Sequence, residues 1–316
     1  MNSTRSVTRV RILLIIGVLL LVVPLSVSAA PYPAPYHNGF ENASDATPFP
    51  TTADTETLFG VTRVASGTNS VTSAAGAYHA IAPTDGSAGG TMFTRLGGYS
   101  STFPSGGYRA SIDIYLDMAQ SGIGDDKRID WSVAANQPDG NHRRDFVFSI
   151  GTNGTGGFVM SASNTSPGWP GNPGRDPYTI TTTGWYTFQH VFRDNSGVLA
   201  VDMRVLNAAG VVLKSWTLSD PSDLIGTTVG GNRYGWLIKN AFADLPIDNI
   251  RRSGPMCTTT CYVDTAAGSD LNGGTSTSDA FKTIQKGVTT VQAGGQVIVA
   301  AGSYPENVSI TKSLTL

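Results

Sequence analysis

The chain has 316 residues, a formal net charge of -2 and only 14% charged side chains. A charge so low and so balanced argues against the basic stripe that a phosphate backbone calls for, so no nucleic-acid partner is expected. It also gives no overall electrostatic case for an acidic polysaccharide. The 37 glycines, many Ser and Thr and few strong helix formers favour an all-β protein.

Residues 1–30 read as a secretory signal peptide. Arg5, Arg9 and Arg11 precede an apolar run over residues 12–23, and Pro24 and the small residues 26–30 follow. The run is shorter than the about 20 residues of a membrane-spanning helix. Cleavage is therefore expected, leaving no membrane span in a mature chain that is secreted, extracellular or held at the cell surface.

From residue 31 to 254 the text is one of strands broken by Gly, Asn, Asp and Pro turns. Ile112, Ile114, Leu116 and Met118 alternate with Ser111, Asp113, Tyr115 and Asp117. Phe146, Phe148 and Ile150 repeat the pattern, as do Tyr186, Phe188, His190 and Phe192. Hairpin turns are expected at residues 194–197 and 207–210. Antiparallel hairpins with one apolar face per strand call for two sheets packed face to face.

Residues 255–261 form a linker holding Cys257 and Cys261. After export these two are expected to form a local disulfide, with free thiols as the alternative. A metal site would need further ligands. In residues 262–316, Phe281, Ile284, Val288 and Val291 fall on one helical face, with Ser278 or Asp279 as the N-cap. Short apolar strands follow at 297–300, 308–310 and 313–316. Strands this short do not close a domain; they suit the first coils of a β-solenoid, whose units need neighbours. The chain is thus expected to be the N-terminal piece of a longer protein.

Two resemblances follow from these residues. The Trp185-Tyr186 strand, the Asp194–Gly197 hairpin and the closing Ile247-Asp248-Asn249-Ile250 resemble the back half of a concanavalin A-like (laminin-G-like) jelly-roll sandwich, over residues 185–252. That implies an antiparallel jelly-roll β-sandwich across residues 31–254. Phe281, Thr283, Ile284, Gln285, Gly294, Gly295, Val297, Val299, Ala301, Gly302, Tyr304, Glu306, Asn307, Val308, Ile310 and Lys312-Ser313-Leu314-Thr315-Leu316 resemble the start of a pectate-lyase-like right-handed parallel β-helix. That implies a capping helix followed by its first, incomplete coils.

Concanavalin A-like sandwiches include glycoside hydrolases that use a pair of Glu residues on one strand. Here the Glu residues are Glu41, Glu56 and Glu306, which cannot form such a pair, and no catalytic residue is assigned. Asp113 and Asp117 read as a solvated strand face, and His190 as a packed strand residue. The Gly- and Asp-rich stretch from Asp264 to Gly274 lacks the carboxylate spacing of a Ca2+ loop, so no cofactor is expected, with Ca2+ the lesser alternative.

Aromatics in loops and turns offer the binding signal. Tyr99, Trp169, Tyr234 and Trp236 provide flat faces for sugar C–H groups together with polar handles. Arg144, in the polar cluster His142-Arg143-Arg144-Asp145, and Arg175 provide forked donors for hydroxyl or carboxylate groups. The plainer readings are a rim ion pair for Arg144 and a loop folded on itself for Trp169. The leading expectation is a secreted or surface-associated modular protein, non-catalytic in this chain, that binds a polysaccharide or cell-surface glycan or serves a structural, adhesive role. The alternative is the accessory region of a secreted polysaccharide lyase or hydrolase with its active site on further coils.

Overall fold

A computed structural model describes residues 35–49, 60–82, 90–120, 128–152, 154, 156–165, 168–240, 244–270 and 272–316. The expected signal peptide lies outside the described residues. In chain order the strands are β1 (Tyr36–Asn38), β2 (Thr62–Ala65), β3 (Tyr78–Ala82), β4 (Gly90–Thr94), β5 (Tyr108–Leu116), β6 (Arg128–Asn136), β7 (His142–Thr152) and β8 (Phe158–Asn164). Then come β9 (Tyr178–Ile180), β10 (Gly184–Asn195), β11 (Val198–Asn207), β12 (Val212–Leu224), β13 (Asn232–Asn240), β14 (Leu245–Arg252), β15 (Thr260–Val263), helix α1 (Ile284–Thr290) and β16 (Gln296–Val299).

Strands β1 to β14 build two antiparallel sheets. One runs β12-β11-β10-β5-β14-β3-β2, with β1 also on β14, and the other runs β4-β13-β6-β7-β8-β9. The period-two pattern explains why they stack. Ile112, Ile114, Phe188 and Phe192 of the first sheet meet Trp131, Phe146, Phe148 and Ile150 of the second, all at most 1% exposed. Phe148 and Phe188 make an edge contact at 5.3 Å, and so do Phe146 and Phe192 at 5.4 Å. His190 is fully buried and its Nε2–H donates to the Phe146 carbonyl of the facing sheet at 2.9 Å. Burial pushes its pKa down to about 3, so it stays neutral.

Both expected hairpins form. Ser196 and Gly197 take φ of 56° and 86° between β10 and β11, the two positive values that a tight hairpin turn requires. Gly107, at the start of β5, has no room for a side chain: a Cβ there would lie 2.0 Å from the Phe192 carbonyl oxygen. The solvated face expected for Asp113 is not found. Its carboxylate accepts from Thr187 Oγ1 and Asn249 Nδ2, because β14 lies beside β5 and brings Asn249 over that face.

A second, smaller core follows. Cys257 and Cys261 are joined as a disulfide and pack with Val263, Phe281, Val288, Val291 and Val297. Strand β15 begins at Thr260, inside the stretch read as a linker, and pairs in parallel with β16. A further parallel bridge joins Gln296 and Thr315. The N-cap of α1 is Thr283, whose side chain accepts from Lys286 N, and not Ser278 or Asp279. Those two residues lie in a separate 3-10 turn, Thr277–Asp279, where Asp279 instead accepts from Gly273 N and Thr275 Oγ1. Glu306 completes the helix start by accepting from Ile284 N at 2.7 Å and Gln285 N at 2.9 Å, a carboxylate placed at the positive end of the helix.

The strand expected at 308–310 forms no ladder, and Ile310 and Leu316 are 49% and 61% exposed. A strand needs an edge partner, and here only Thr315 finds one. No helix among the described residues is long and apolar enough to cross a membrane.

Candidate functional site

Register places the candidate residues. On β13, Trp236 pairs with Phe93 of β4 and with Ser132 of β6, and Ser132 pairs with Val147 of β7. Their sequence neighbours Leu237, Trp131 and Phe148 fill the core, so this row faces away from it. Two residues further along the strands lies a second row, Ile238–Asp130–Ser149–Ser161.

At one end of this outer face the aromatics gather. Phe93 lies 5.1 Å from Tyr234 and 6.2 Å from Trp236, and Tyr234 and Trp236 are 5.9 Å apart. Tyr99, 37% exposed, joins them through Arg233, whose guanidinium sits 5.3 Å from the Tyr99 ring and 5.8 Å from the Tyr234 ring. The His142 ring stacks along Tyr234 at 6.1 Å, and its Nε2 bonds the Asp145 carboxylate at 2.7 Å. Ser132 Oγ donates to the same carboxylate at 2.8 Å. Burial acts to raise the Asp145 pKa, but the bonds from His142 and Ser132 prevail and hold it below the usual range. Tyr234 is pushed up by burial and by the Asp145 charge, so its hydroxyl keeps its proton.

The other end of the face lies under the loop that starts at Gly168. Gly168 N donates to Ser149 Oγ, and Arg128 Nη2 bonds both the Gly168 carbonyl and Asp130. Arg175 packs so closely on Gly168 that a Cβ there would lie 2.3 Å from its Nη2. Trp169 remains 42% exposed. Burial raises the Asp130 pKa, opposed by Ser149 and Arg128. Several buried polar atoms have no partner: Trp236 Nε1, Ser161 Oγ and Arg175 Nη1. Buried donors left unpaired are costly, which makes them sites for a ligand or ordered water.

Five of the six sequence candidates (Tyr99, Trp169, Arg175, Tyr234 and Trp236) therefore border one face of one sheet. Arg144 does not. Its guanidinium reaches Asp220 at 3.0 Å and Asp223 at 2.9 Å on β12, and Arg143 joins Asp223 at 2.7 Å. Arg144 pairs with Ala135, a core position, so it points between the sheets and clamps their edges together. The plainer reading of Arg144 is the one its contacts follow. Sequence reasoning missed Phe93, Ser132 and Arg233 as members of the face, and placed weight on Arg144 where His142 and Asp145 hold the position. The i, i+3 pairing of His142 with Asp145 was the available signal.

Asp130 and Asp145 are the two carboxylates of these rows among the described residues. Asp145 is paired with Ala134, four residues from Asp130, or about 13 Å along the strand. The carboxylate pairs of glycoside hydrolases are about 5–9.5 Å apart. In the second core, Asp264 Oδ1 accepts from Ala266 N and Ala267 N, and Asp270 accepts from Lys282 N and Thr283 N. Both carboxylates thus pin backbone turns.

No family model matches the chain, and no curated protein matches it. Several solved structures are similar in outline. A protein of unknown function with a galectin-like fold from Bacillus subtilis is 13% identical, with 70% of this chain and 96% of that one covered and a TM-score of 0.36. The CBM2 module of the evolved Dit of Lactobacillus casei BL23 phage J-1 is 10% identical, at 70% and 96% coverage and a TM-score of 0.37. Peanut lectin with a nine-residue peptide is 8% identical, at 71% and 99% coverage and a TM-score of 0.35.

Proposed function

We propose that the sandwich is a saccharide-binding module and that the sugar lies on the outer face of the six-stranded sheet, against Tyr234 and Trp236. The observation that carries this reading is the union, at one end of that face, of three aromatic rings with the hydrogen-bonded set His142, Asp145 and Ser132. A pyranose presents an apolar C–H face and a rim of hydroxyls. The rings suit the first, and an ionised, pre-oriented carboxylate suits the second. Arg233 and Tyr99 form one wall, and Trp169 and Arg175 stand at the far end.

The chain is read as exported through a signal peptide over residues 1–30, which suits the Cys257–Cys261 disulfide, and as secreted or held at the cell surface. Residues 262–316 are read as the start of a right-handed parallel β-helix capped by α1. The parallel ladder of β15 and β16, and the Gln296–Thr315 bridge beyond it, support this. In this reading the solenoid displays the sugar-binding sandwich.

Tyr234→Ala removes the ring that touches Phe93, Trp236 and His142 together. In affinity electrophoresis through polysaccharide-containing gels, the parent chain is expected to be retarded by at least one neutral polysaccharide. Tyr234→Ala should weaken that retardation about tenfold or more, the loss of one stacked aromatic and its hydroxyl. Equal retardation of parent and variant would remove this face from the account.

A further inference from the structure

Between the two cores lies a cleft of about 300 Å³ whose lining includes Arg109, Arg193, Arg204 and Lys286, with Asp202 as the one carboxylate among the described lining residues. The folding of the chain forces these cations together. Arg193 on β10 and Arg204 on β11 both bond Asp202, Arg109 projects from neighbouring β5, and Lys286 comes down from α1. Asp202 is therefore already shared between two guanidiniums and a hydroxyl, Thr217 Oγ1.

Arg109 is the decisive group. It is only 4% exposed, and its Nη1 donates to the Asp270 carbonyl at 2.6 Å. Its Nε and Nη2 are buried without a partner. The Asp270 carboxylate is not available to them, because it is occupied by Lys282 N, Thr283 N and Thr283 Oγ1. A buried, half-satisfied guanidinium among other cations is costly unless an anion accompanies it. The Phe281 ring, 5.8 Å from the Arg109 guanidinium, and the nearby Asp270 and Asp279 charges offset part of this cost, but burial and the neighbouring cations prevail. Burial first, then the nearby Arg109 and Arg204, push Lys286 down to about 7, and burial with Arg204 pushes Arg109 down to about 10.

We propose that this cleft binds an oxyanion, a carboxylate or sulfate group, held by the free Nε and Nη2 donors of Arg109 with Lys286 and Arg204 around it. The site is separate from the sugar face and stands on different residues. A planar fork with two unpaired donors matches two oxygens of one group. The chemistry can come from a free inorganic ion or from an acidic sugar.

The test is thermal unfolding of the whole chain in low-millimolar sodium sulfate, in glucuronate, and in sodium chloride at the same ionic strength, with glucose as the neutral control. Low concentrations keep general salt exclusion small. At ten times the dissociation constant, a bound ion should raise Tm by about 4 °C over chloride. A shift with sulfate assigns a free ion, and a shift with glucuronate alone assigns a sugar-borne acid. Arg109→Met should have an unchanged or higher Tm in chloride, because it loses an unpaired buried charge, and should no longer respond to either anion. Should that variant fail to fold, Lys286→Met and Arg204→Met carry the same comparison and should each lose most of the response. No shift over chloride with either anion, or a shift retained in the variants, overturns the proposal.

Discussion

Phe148→Ala is expected to lower the melting temperature of the chain by about 10 °C. The ring is fully buried and touches the opposite sheet through Phe188 at 5.3 Å, His190 at 4.9 Å and Trp216 at 6.2 Å. Truncating a buried Phe to Ala costs about 3–5 kcal/mol, from lost transfer energy and the cavity left behind. Each kcal/mol shifts Tm by about 2–4 °C in a domain of this size. The three edge contacts come from two strands, β10 and β12, so the site cannot collapse without moving both. Calorimetry of parent and variant measures this directly. A drop below about 3 °C would mean that the two sheets do not meet through this ring.

Asp248→Asn should behave in the opposite sense, and in a pH-dependent way. Asp248 is fully buried, opposite Asp113 on the adjoining strand. Burial pushes its pKa up to about 7; the backbone N–H groups of Asn249 and Ala75 oppose the rise, and the Asp113 charge adds to it. In the unfolded chain the carboxyl titrates near 4. Between these values the folded state holds the proton that the unfolded state has lost, so stability falls as pH rises. Asparagine cannot ionise. Asn keeps one acceptor oxygen and turns its NH2 toward the second of the two backbone N–H groups that Asp248 receives, so the variant starts below its parent near pH 3.5. From there the difference should move steadily in its favour up to pH 7.5, by on the order of 2 kcal/mol after solvent screening. Working with the difference between the two proteins removes His190, which has the reverse dependence because its folded pKa is depressed. A difference independent of pH would show that Asp248 is ionised in the fold.

The parts of the fold that were legible before the structure were those in which one local pattern decides the outcome. The alternation of Ile112, Ile114 and Leu116 makes a half-buried strand whatever its neighbours are, and Asp194 to Gly197 makes a turn by its own backbone preferences. Positions whose fate depends on a distant partner were not legible. Asp113 reads as a solvated residue until β14 is known to lie beside β5 and carry Asn249 to it. Arg144 reads as a rim ion pair or a ligand clamp, and only β12, bringing Asp220 and Asp223 across the sandwich edge, decides for the ion pair. Phe93 and Trp236 are more than a hundred residues apart in sequence, and only the antiparallel pairing of β4 with β13 sets them side by side. The cationic cleft was hidden for the same reason, because a net charge of -2 says nothing about four cations drawn from three strands and a helix. The N-cap of α1 was misplaced by a few residues, since Ser278 and Asp279 have the right chemistry but are spent on their own tight turn.

The most direct test of the sugar-binding face is a glycan-array measurement on the whole chain beside Trp236→Ala and Trp169→Ala. The account predicts that the parent retains a defined set of glycans and that Trp236→Ala loses them. Trp169→Ala should keep binding but with narrowed preference, because Trp169 stands at the far end of the face. Retention of the same glycans by Trp236→Ala, or no glycan retained by the parent, would contradict the assignment of the outer face of the six-stranded sheet as a saccharide site.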